Sequence, residues 1–463
     1  MLHFKLSRLR EDIPALLKLA GPLLIGQLAV IAFGVLDTAM TARYSANDLA
    51  ALAMASAIFI SVYVGLTGVV SALAPIAGQL FAAKRLSDIG EEVRQATWLA
   101  LGLTILGCWI LLNAQPLLAI SRVAPEIESN ARLYLSILAL GLPASMGMRV
   151  LMTLHNAVSR PAVITVVQLI GLALKLPLNL LFIYGGLGIE GMGGPGCAVA
   201  TVIINWSWLL MTLGFVVFDR FYRPFKIFER FSLPNWHRIW TLLKLGTPIG
   251  FSYLIEVTSF TLMSLFIARL GTTALAGHQI VANIGTAIYM VPLSLSIATM
   301  TLVSQSIGAN QQERAEEIGW SSVFFTTALC ITIGVAVWVF RIQLLNLYDL
   351  PQEVKAFSIP LFLFIAFYQV FDALQVTAAF ILRAYRIAFW PMVIYAGSLW
   401  GVGLGGGYLM GFNVLGNTPP FLQGANGFWA GNSISLGLAA CLLLYLFRKT
   451  AGRYEKTHPP VEV

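Results

Sequence analysis

The chain is 463 residues long, and its composition is not that of a soluble protein. Hydrophobic residues make up 58% of it and charged residues only 11%, whereas a soluble domain carries about 25% charged residues. The net charge is +8, but the basic residues are spread over many short polar segments, so a nucleic-acid-binding surface is not indicated. We predict an integral membrane protein.

Apolar segments long enough to cross a bilayer core of ~30 Å recur along the whole chain. Helices are indicated because a barrel would show alternating segments of ~10 residues. The first segment, which reaches Asp37, is too long for a signal peptide, and we interpret it as the first span. We predict an all-α protein of about twelve spans, centred near residues 27, 62, 104, 142, 172, 206, 253, 288, 328, 368, 399 and 437.

Basic residues alternate between polar segments that carry many of them and polar segments that carry few. With the N-terminus in the cytoplasm, most of the 29 lysines and arginines fall in cytoplasmic segments, including Arg383 and Arg386 after the tenth span. This is the distribution that the positive-inside rule describes. It predicts that both termini are cytoplasmic and that the number of helices is even.

The chain contains an internal repeat. The segment LLKLAGP at 16–22 returns as LLKLGTP at 242–248, an offset of 226 residues (242 minus 16). Gln79 and Gln305 match at the same offset, and an acidic polar turn follows each of them. Several matches at one offset are hard to obtain by chance, so the sequence indicates two homologous halves of about six helices each.

The longest polar stretch divides these halves. We predict an N-terminal half at 1–218, a basic cytoplasmic linker at 219–238 and a C-terminal half at 239–463. Because each half has an even number of helices, the repeats should run parallel, related by an axis along the membrane normal. Pro22 and Pro248 occupy matching places in the first and seventh helices. They indicate helices that bend when the protein changes state, although membrane helices also tolerate proline without such a role.

Three acidic residues, Asp37, Glu256 and Asp372, lie inside long apolar runs. A carboxylate at bilayer depth costs several kcal/mol by estimates that disagree. Such a residue is tolerated where it faces a protein interior or a water-filled cavity, usually with a partner. The three positions therefore predict a proton relay, a cation site or a counter-ion for a substrate.

Two of these acids fall in the C-terminal half. Glu256 lies on the seventh predicted helix, and Asp372 lies on the tenth with Tyr368 one turn before it. Residues four apart share a helix face, so Tyr368 and Asp372 can point the same way. If the two helices adjoin, the carboxylates cannot both stay ionised without a cation or a shared proton. This is the definition of a cation or proton site.

The N-terminal half combines one acid with a buried base. Lys175 and Asn179 lie four residues apart on the fifth predicted helix, and a buried ammonium needs an anion. Asp37 is the one carboxylate at depth in this half, so we predict an Asp37–Lys175 pair with Asn179 beside it. The alternative is that Lys175 extends its ammonium to the membrane interface.

Other motifs do not predict an enzyme. Gly401, Gly403 and Gly406 match GxGxxG, but they lie in an apolar helix with no strand before it, which is not the context of a dinucleotide site. His155 and His278 are isolated, and the four cysteines stand singly. The sequence has no Walker A, HExxH, GxSxG or Cys/His motif. We therefore expect neither catalysis nor a cofactor, and an ion gradient as the source of energy.

Several segments resemble the multidrug and toxic compound extrusion family, in particular its NorM-type bacterial branch. The resemblance runs from about residue 14 to 447. It rests on VLDTAMTARYSANDLAALA (35–53), PLNLLFIYGGLGIEGMGGPGCAVAT (177–201), PIGFSYLIEVTSF (248–260), LAGHQIVANIGTAIYMVPLSLSIAT (275–299), FDALQVTAAFILRAYR (371–386) and GFWAG (427–431).

The resemblance implies twelve helices in two pseudo-symmetric six-helix lobes that form a V. It also implies export of cationic or amphipathic drugs against Na⁺ or H⁺ by alternating access. In such transporters the acids corresponding to Glu256 and Asp372 form the cation site of the C-lobe, which would bind the metal ion if coupling is to Na⁺. Tyr368 lies beside them, and the acid and asparagine of the N-lobe fall on Asp37 and Asn179.

Lys175 departs from the pattern of the family. Many members carry a second asparagine at this place in the N-lobe cation site, one turn before Asn179. A tethered ammonium can take the place of a metal cation or proton there. This puts a mobile ion in the N-lobe in doubt and gives Glu256 and Asp372 more weight in coupling.

The resemblance also suggests partners and a location. We expect small cationic or amphipathic drugs as substrates, with Gln279, Asn283, Tyr289 and Asp37 as possible contacts, and no nucleic acid. The protein should be a monomer in the bacterial inner (plasma) membrane. A flippase for lipid-linked precursors, which shares the architecture, is the main alternative, but such a protein would hold pyrophosphate in a cationic cavity. An integral membrane enzyme is disfavoured because no catalytic set of residues is recognised.

Overall fold

The computed structural model describes residues 6–120, 124–186, 188–348 and 350–457, and these are almost entirely helical. The termini that we expect in the cytoplasm, 1–5 and 458–463, lie outside the described residues. No β-strand is formed within these four ranges, so the prediction of an all-α protein is confirmed.

In the part of the first half that the structure describes there are eight α-helices, a π-helical continuation of α7 and a 3₁₀ segment in the linker. Their bounds are α1 Leu6–Tyr44, α2 Ala46–Val70, α3 Leu73–Ala82, α4 Leu86–Leu112, α5 Gln115–Ile120, α6 Pro125–Ala157, α7 Pro161–Asn179 with the π-helix Leu180–Tyr184, α8 Gly194–Phe218 and the 3₁₀ segment Arg220–Phe225.

The second half repeats this order, again with a π-helical segment in the fifth membrane-length helix. Its elements are α9 Trp236–Ala268, α10 Thr272–Gly308, α11 Gln312–Val339, α12 Arg341–Asn346, α13 Gln352–Ala384, α14 Phe389–Tyr395, the π-helix Ala396–Gly405, α15 Gly406–Gly411, a 3₁₀ turn Pro420–Leu422 and α16 Ala425–Thr457.

Eleven helices in the described part of the chain are long and apolar enough to cross a membrane. The predicted span near residue 399 corresponds to the uninterrupted helical turns of α14, the second π-helix and α15, from Phe389 to Gly411. This segment is rich in glycine, which lowers its mean hydropathy relative to the other spans. The eleven helices together with this segment account for the spans predicted from the sequence.

The repeat is visible in the backbone as well as in the sequence. Lys84 and Asn310, which are 226 positions apart (310 minus 84), both have positive φ, at 58° and 59°. The next residue in each half closes the helix end in the same way: Arg85 N–H donates to Leu80 O at 3.0 Å, and Gln311 N–H donates to Ser306 O at 2.9 Å. A left-handed residue with a six-to-one hydrogen bond is a Schellman helix end, so both halves build this turn identically.

The described chain packs as two compact units that do not coincide with the two sequence repeats. One unit is Pro22–Gly250, and the other combines Met1–Gly21 with Phe251–Val463. The linker predicted at 219–238 therefore belongs entirely to the first of these units. Helices α1 and α9 each begin in one unit and continue in the other, and Pro22 and Pro248 lie at these transitions.

Ion pairs hold the first turns of α1 and α9 in their units. In the unit that contains the second half, Asp12 on α1 pairs with Arg314 on α11, and Asp12 is 2% exposed. In the other unit, Arg238 on α9 pairs with Glu92 on α4 at 2.6 Å. Asp12 and Arg238 are related by the repeat offset of 226 (238 minus 12). Matching positions of α1 and α9 therefore both form an ion pair, but the residue is acidic in α1 and basic in α9.

The linker is fixed to the start of α4 by hydrogen bonds. The guanidinium of Arg94 donates to the carbonyl oxygens of Lys226 and Ile227 at 2.7 and 3.0 Å and to Ser232 Oγ at 2.8 Å. At the beginning of the linker, the Phe221 N–H and then the Arg160 guanidinium lower the pKa of the Asp219 carboxyl. The linker is therefore an ordered part of the unit Pro22–Gly250, although its composition predicts only a polar connection.

Gly90 on α4 is required by the close approach of this linker. A Cβ atom at position 90 would lie 1.9 Å from the carbonyl oxygen of Phe225, a backbone atom that cannot rotate away. We expect Gly90→Ala to lower the free energy of unfolding by about 1–3 kcal/mol through overpacking. The measurement is thermal unfolding of the purified protein in detergent.

Gly102 on the same helix is the matched control for this substitution. A Cβ atom at position 102 would meet no neighbouring group within 4 Å, so Gly102→Ala should leave stability unchanged or raise it by up to about 1 kcal/mol through helix propensity. Equal unfolding temperatures for the two variants would show that the linker does not pack closely against α4.

Candidate functional site

The structure brings Asp37 and Lys175 together in the N-terminal half. The ammonium Nζ of Lys175 lies 2.8 Å from Asp37 Oδ1. The Lys175 side chain is fully buried, and Asp37 is 7% exposed. Burial of this degree is inconsistent with the alternative in which Lys175 extends to the membrane interface.

Two further oxygens and an aromatic ring complete the surroundings of the Lys175 ammonium. It donates to Thr201 Oγ1 at 2.6 Å and to the carbonyl oxygen of Cys197 at 3.2 Å, both on α8. Nζ also lies 4.1 Å from the centroid of the Phe33 ring on α1, within the range of a cation–π interaction. The positive charge of this α7 residue is thus held by groups on α1 and α8.

Asn179 supports the carboxylate of this pair. Its Nδ2 donates to Asp37 Oδ1 at 2.8 Å, while its own Oδ1 is buried with no hydrogen-bond partner among the described residues. Lys175 and Asn179 share a face of α7 because they are four residues apart. The helix changes to π geometry directly after Asn179, a distortion that is frequent at functional sites.

The two acids of the C-terminal half form a second polar cluster. Tyr289 Oη on α10 donates to Glu256 Oε1 on α9 at 3.2 Å. Gln375 Nε2 donates to Asp372 Oδ1 at 2.8 Å within α13, and Asp372 is 2% exposed. The two carboxylates lie within electrostatic range of each other and of Tyr289, so the structure brings Glu256, Asp372 and Tyr289 together.

Tyr368 borders this cluster through an aromatic contact. Its ring packs edge-on against Trp429 on α16, with the ring centroids 5.5 Å apart. Trp429 also contacts His278, whose Nε2 lies 2.8 Å from Ser264 Oγ. These side chains adjoin the main hydrophobic core of this half, so the histidine serves as part of the wall of the core.

Gln279 and Asn283 are placed differently from the acids. Both are exposed side chains on α10, and the Gln279 amide donates to Asn283 Oδ1 at 3.5 Å. Tyr289, the third polar residue predicted on this helix, is the one that contacts a carboxylate. Gln279 and Asn283, four residues apart, share a face of α10, whereas Tyr289 lies further along the helix and contacts Glu256.

Arg383 is a functional-site residue that the sequence does not predict, because the charge distribution places it in a cytoplasmic segment. The structure places Arg383 in the last turn of α13 at 5% exposure. Its Nη1 donates to Tyr253 Oη at 2.8 Å, and its guanidinium lies 4.7 Å from the Tyr253 ring and 4.3 Å from the Phe380 ring. Tyr253 precedes Glu256 by three residues on α9, so these two side chains share a face. The contact with Arg383 itself joins α9 to α13, so no spacing within one helix could have found it.

The sequence and the fold of the chain are similar to those of known proteins. The model of the MatE family matches residues 22–181 and 248–409. The chain is 37% identical to the probable multidrug resistance protein NorM of Aromatoleum aromaticum, over 93% of this chain and 92% of that protein. It is 34% identical to the multidrug resistance protein PmpM of Pseudomonas aeruginosa, over 97% and 94%. A crystal structure of MATE in the bent conformation has the same fold, with a TM-score of 0.87, 17% identity and 98% of both chains covered.

The buried pair in the N-terminal half predicts strong coupling between two substitutions. Asp37→Asn leaves the Lys175 ammonium without an anion, and Lys175→Met leaves the carboxylate without a cation. Each should lower the free energy of unfolding by about 3–5 kcal/mol. Because the double variant removes both charges of the pair, its loss should be well below the sum of the single losses, as measured by thermal unfolding in detergent.

Arg160 and Asp219 provide the matched control pair. They form an ion pair at 2.5 Å, but their side chains are 39% and 36% exposed, and exposed pairs contribute about 0–1 kcal/mol. Neutralising them should cost little, singly or together. Additive losses for Asp37→Asn and Lys175→Met would contradict the pairing.

Proposed function

This chain belongs to the MatE family, and we propose on that premise that it exports drugs by antiport against Na⁺ or H⁺. Its relatives at 34–37% identity are multidrug resistance proteins, and the chain is a multi-pass multidrug efflux transporter. The proposal concerns how transport is driven, which residues carry the coupling and which drugs are moved.

The observation that carries the proposal is the carboxylate cluster of the C-terminal half. Glu256 and Asp372 lie within electrostatic range of each other in an apolar surrounding. Two such groups repel when both are ionised, and a bound cation or a proton relieves that repulsion. The tyrosine hydroxyl of Tyr289 and the amide of Gln375 hold the carboxylates in place. A site of this kind binds a cation reversibly, which is what an antiporter requires.

The cation and the drug would use this cluster in turn. In the outward-open state a cation binds Glu256 and Asp372 and neutralises them, so the affinity for a cationic drug falls and the drug leaves. In the inward-open state the cation leaves to the cytoplasm, and the free carboxylates attract the next drug molecule. A cation that weakens drug binding must be weakened equally by the drug, because coupling between two sites is reciprocal.

The drug contacts that we propose in this half lie on α10. Gln279 and Asn283 are exposed amides, and Tyr289 contacts Glu256. Such groups suit amphipathic cations, since aromatic faces and amide oxygens both accept positive charge. Asp37 is a further candidate contact from the N-terminal half.

We further propose that the protein acts as a monomer in a bacterial inner membrane, with both termini in the cytoplasm. The positive-inside distribution of its lysines and arginines supports the cytoplasmic placement of the termini. A cation gradient is a sufficient source of energy, because a tenfold concentration ratio releases about 1.4 kcal/mol for each cation.

The test is drug efflux from proteoliposomes under separately imposed Na⁺ and H⁺ gradients. We expect one of the two gradients to drive transport in the wild type, and at least a tenfold loss in the double variant Glu256→Gln with Asp372→Asn, because the neutral amides no longer bind the cation. Glu353→Gln, an exposed acid in the first turn of the same helix α13, is the control and should transport normally.

Two results would contradict the proposal. Gradient-driven transport that survives the double substitution would place coupling elsewhere in the chain. Failure of both gradients to drive any tested cation would overturn antiport, and an assay with lipid-linked precursors would then test the flippase alternative.

A further inference from the structure

We propose that two side-chain cations, Lys175 and Arg383, compensate two of the three carboxylates within the spans, so that the transporter exchanges one monovalent cation for each drug molecule. This inference deepens the proposed antiport and rests on it, because it assigns the coupling ratio. It follows from the charges of the described residues and their distances.

In the N-terminal half the compensation is complete. The Lys175 ammonium has three oxygens within 2.6–3.2 Å, from Asp37, Thr201 and Cys197. Carboxylate, hydroxyl and carbonyl oxygens are also the ligands that hard metal cations take. The ammonium therefore occupies the position that a free cation would need, and the sum of the two formal charges is zero.

This side-chain cation cannot be exchanged. Lys175 is fully buried, and the Phe33 ring covers the ammonium at 4.1 Å. Because the ammonium is covalently attached to α7, it does not cross the membrane with a gradient. Asn179 Oδ1, which is buried and accepts no hydrogen bond from the described part of the chain, is a further oxygen that becomes available if the ammonium is removed.

In the C-terminal half the compensation is partial. Arg383 is 5% exposed and interacts electrostatically with Glu256. A guanidinium stays charged at any physiological pH, and here the hydroxyl of Tyr253 and the ring of Phe380 hold it. Two carboxylates with one guanidinium leave a single negative charge. One Na⁺ or one proton neutralises this cluster.

The other buried acids have their own partners at the ends of the helices. Asp48 accepts from the Asn130 amide and from Gly194 N–H at the start of α8, each at 2.8 Å, and a helix N-terminus favours negative charge. Asp12 pairs with Arg314. Glu317 lies 3.4 Å from Arg314 and 3.6 Å from a second guanidinium, that of Arg8. These acids lie near the starts of α1, α2 and α11 and are not among the three carboxylates within the spans that the sum counts.

A ratio of one has a measurable consequence. When one monovalent cation exchanges for one monovalent cationic drug, no net charge crosses the membrane, and the membrane potential does no work. A second coupled cation would move one net charge, and 100 mV would then shift the drug gradient at equilibrium by about 50-fold, since ~2.3 kcal/mol is about 1.7 powers of ten.

The experiment determines the coupling ratio in proteoliposomes with ethidium, a permanent monovalent cation, as the drug. At zero potential, with the coupling cation named by the gradient assay, the drug gradient that stops net flux is measured against an imposed tenfold cation gradient. Protein-free vesicles supply the leak. We expect a drug gradient of about tenfold for a ratio of one; a gradient of about 100-fold would mean a ratio of two and would overturn the inference.

Removal of either side-chain cation should raise the ratio. In Lys175→Met the Asp37 carboxylate loses its ammonium, and in Arg383→Gln the acidic cluster gains a second negative charge, so each variant should couple two cations. Lys175→Arg and Arg383→Lys keep the charge and should retain a ratio of one. A ratio that stays at one in the methionine or glutamine variant would overturn the role of that residue.

If Lys175→Met does not insert or fold, a double variant provides the second measurement. The double variant Lys175→Met with Asp37→Asn has no charge to compensate in this half, so its ratio should remain one whatever its turnover; a ratio of two would contradict the assignment. The ratio also separates the two proposals. If neither gradient drives ethidium, antiport fails; if a gradient drives it at a wild-type ratio of two, the charge assignment alone fails.

Discussion

The cost of an uncompensated charge in an apolar interior determines how the functional part of this molecule is built. Each acid within the spans meets this cost with a different partner. Asp37 has the ammonium of Lys175 at 2.8 Å, whereas Glu256 has the hydroxyl of Tyr289 and the more distant charge of Arg383. Breaking a buried pair is costly because one charge stays behind. The partner therefore decides whether a carboxylate is structural or available for exchange.

The two halves share their backbone but not their charges. The helix ends at Lys84 and Asn310 are built identically, yet the position related to Asp37 by the repeat is Met263 (37 plus 226). Its sulfur accepts from the Asn432 amide at 3.7 Å, so a neutral contact stands where the first half has an ion pair. The first half contains a site whose two charges neutralise each other, whereas the acids of the second half lie on different helices. The fold is thus compatible with asymmetric coupling.

The features that the sequence predicts are those that depend on composition or on the cost of burial. The spans, the repeat and the pairing of Lys175 with Asp37 follow from hydropathy and charge, whatever the detailed packing. Arg383 could not be placed in this way, because a basic residue at the cytoplasmic end of a helix satisfies the positive-inside rule whether it is exposed or buried. The packing units could not be predicted either, because they depend on contacts between helices that are distant in sequence. Ion pairs hold the first turns of α1 to α11 and those of α9 to α4.

The continuity of α1 and α9 connects the acids to both packing units. Asp37 and Glu256 lie on the two helices that begin in one unit and continue in the other. Neutralisation of Glu256 changes the electrostatic energy of α9. The first turns of this helix are held in the unit Pro22–Gly250 by the ion pair of Arg238 with Glu92. A cation that cannot leave, such as the ammonium of Lys175, makes the same electrostatic contribution in every state. It therefore cannot drive a change from one state to another. Because a ligand shifts an equilibrium only by its differential affinity for the two states, the antiport that we propose would take its gradient energy through the acids whose cation can depart.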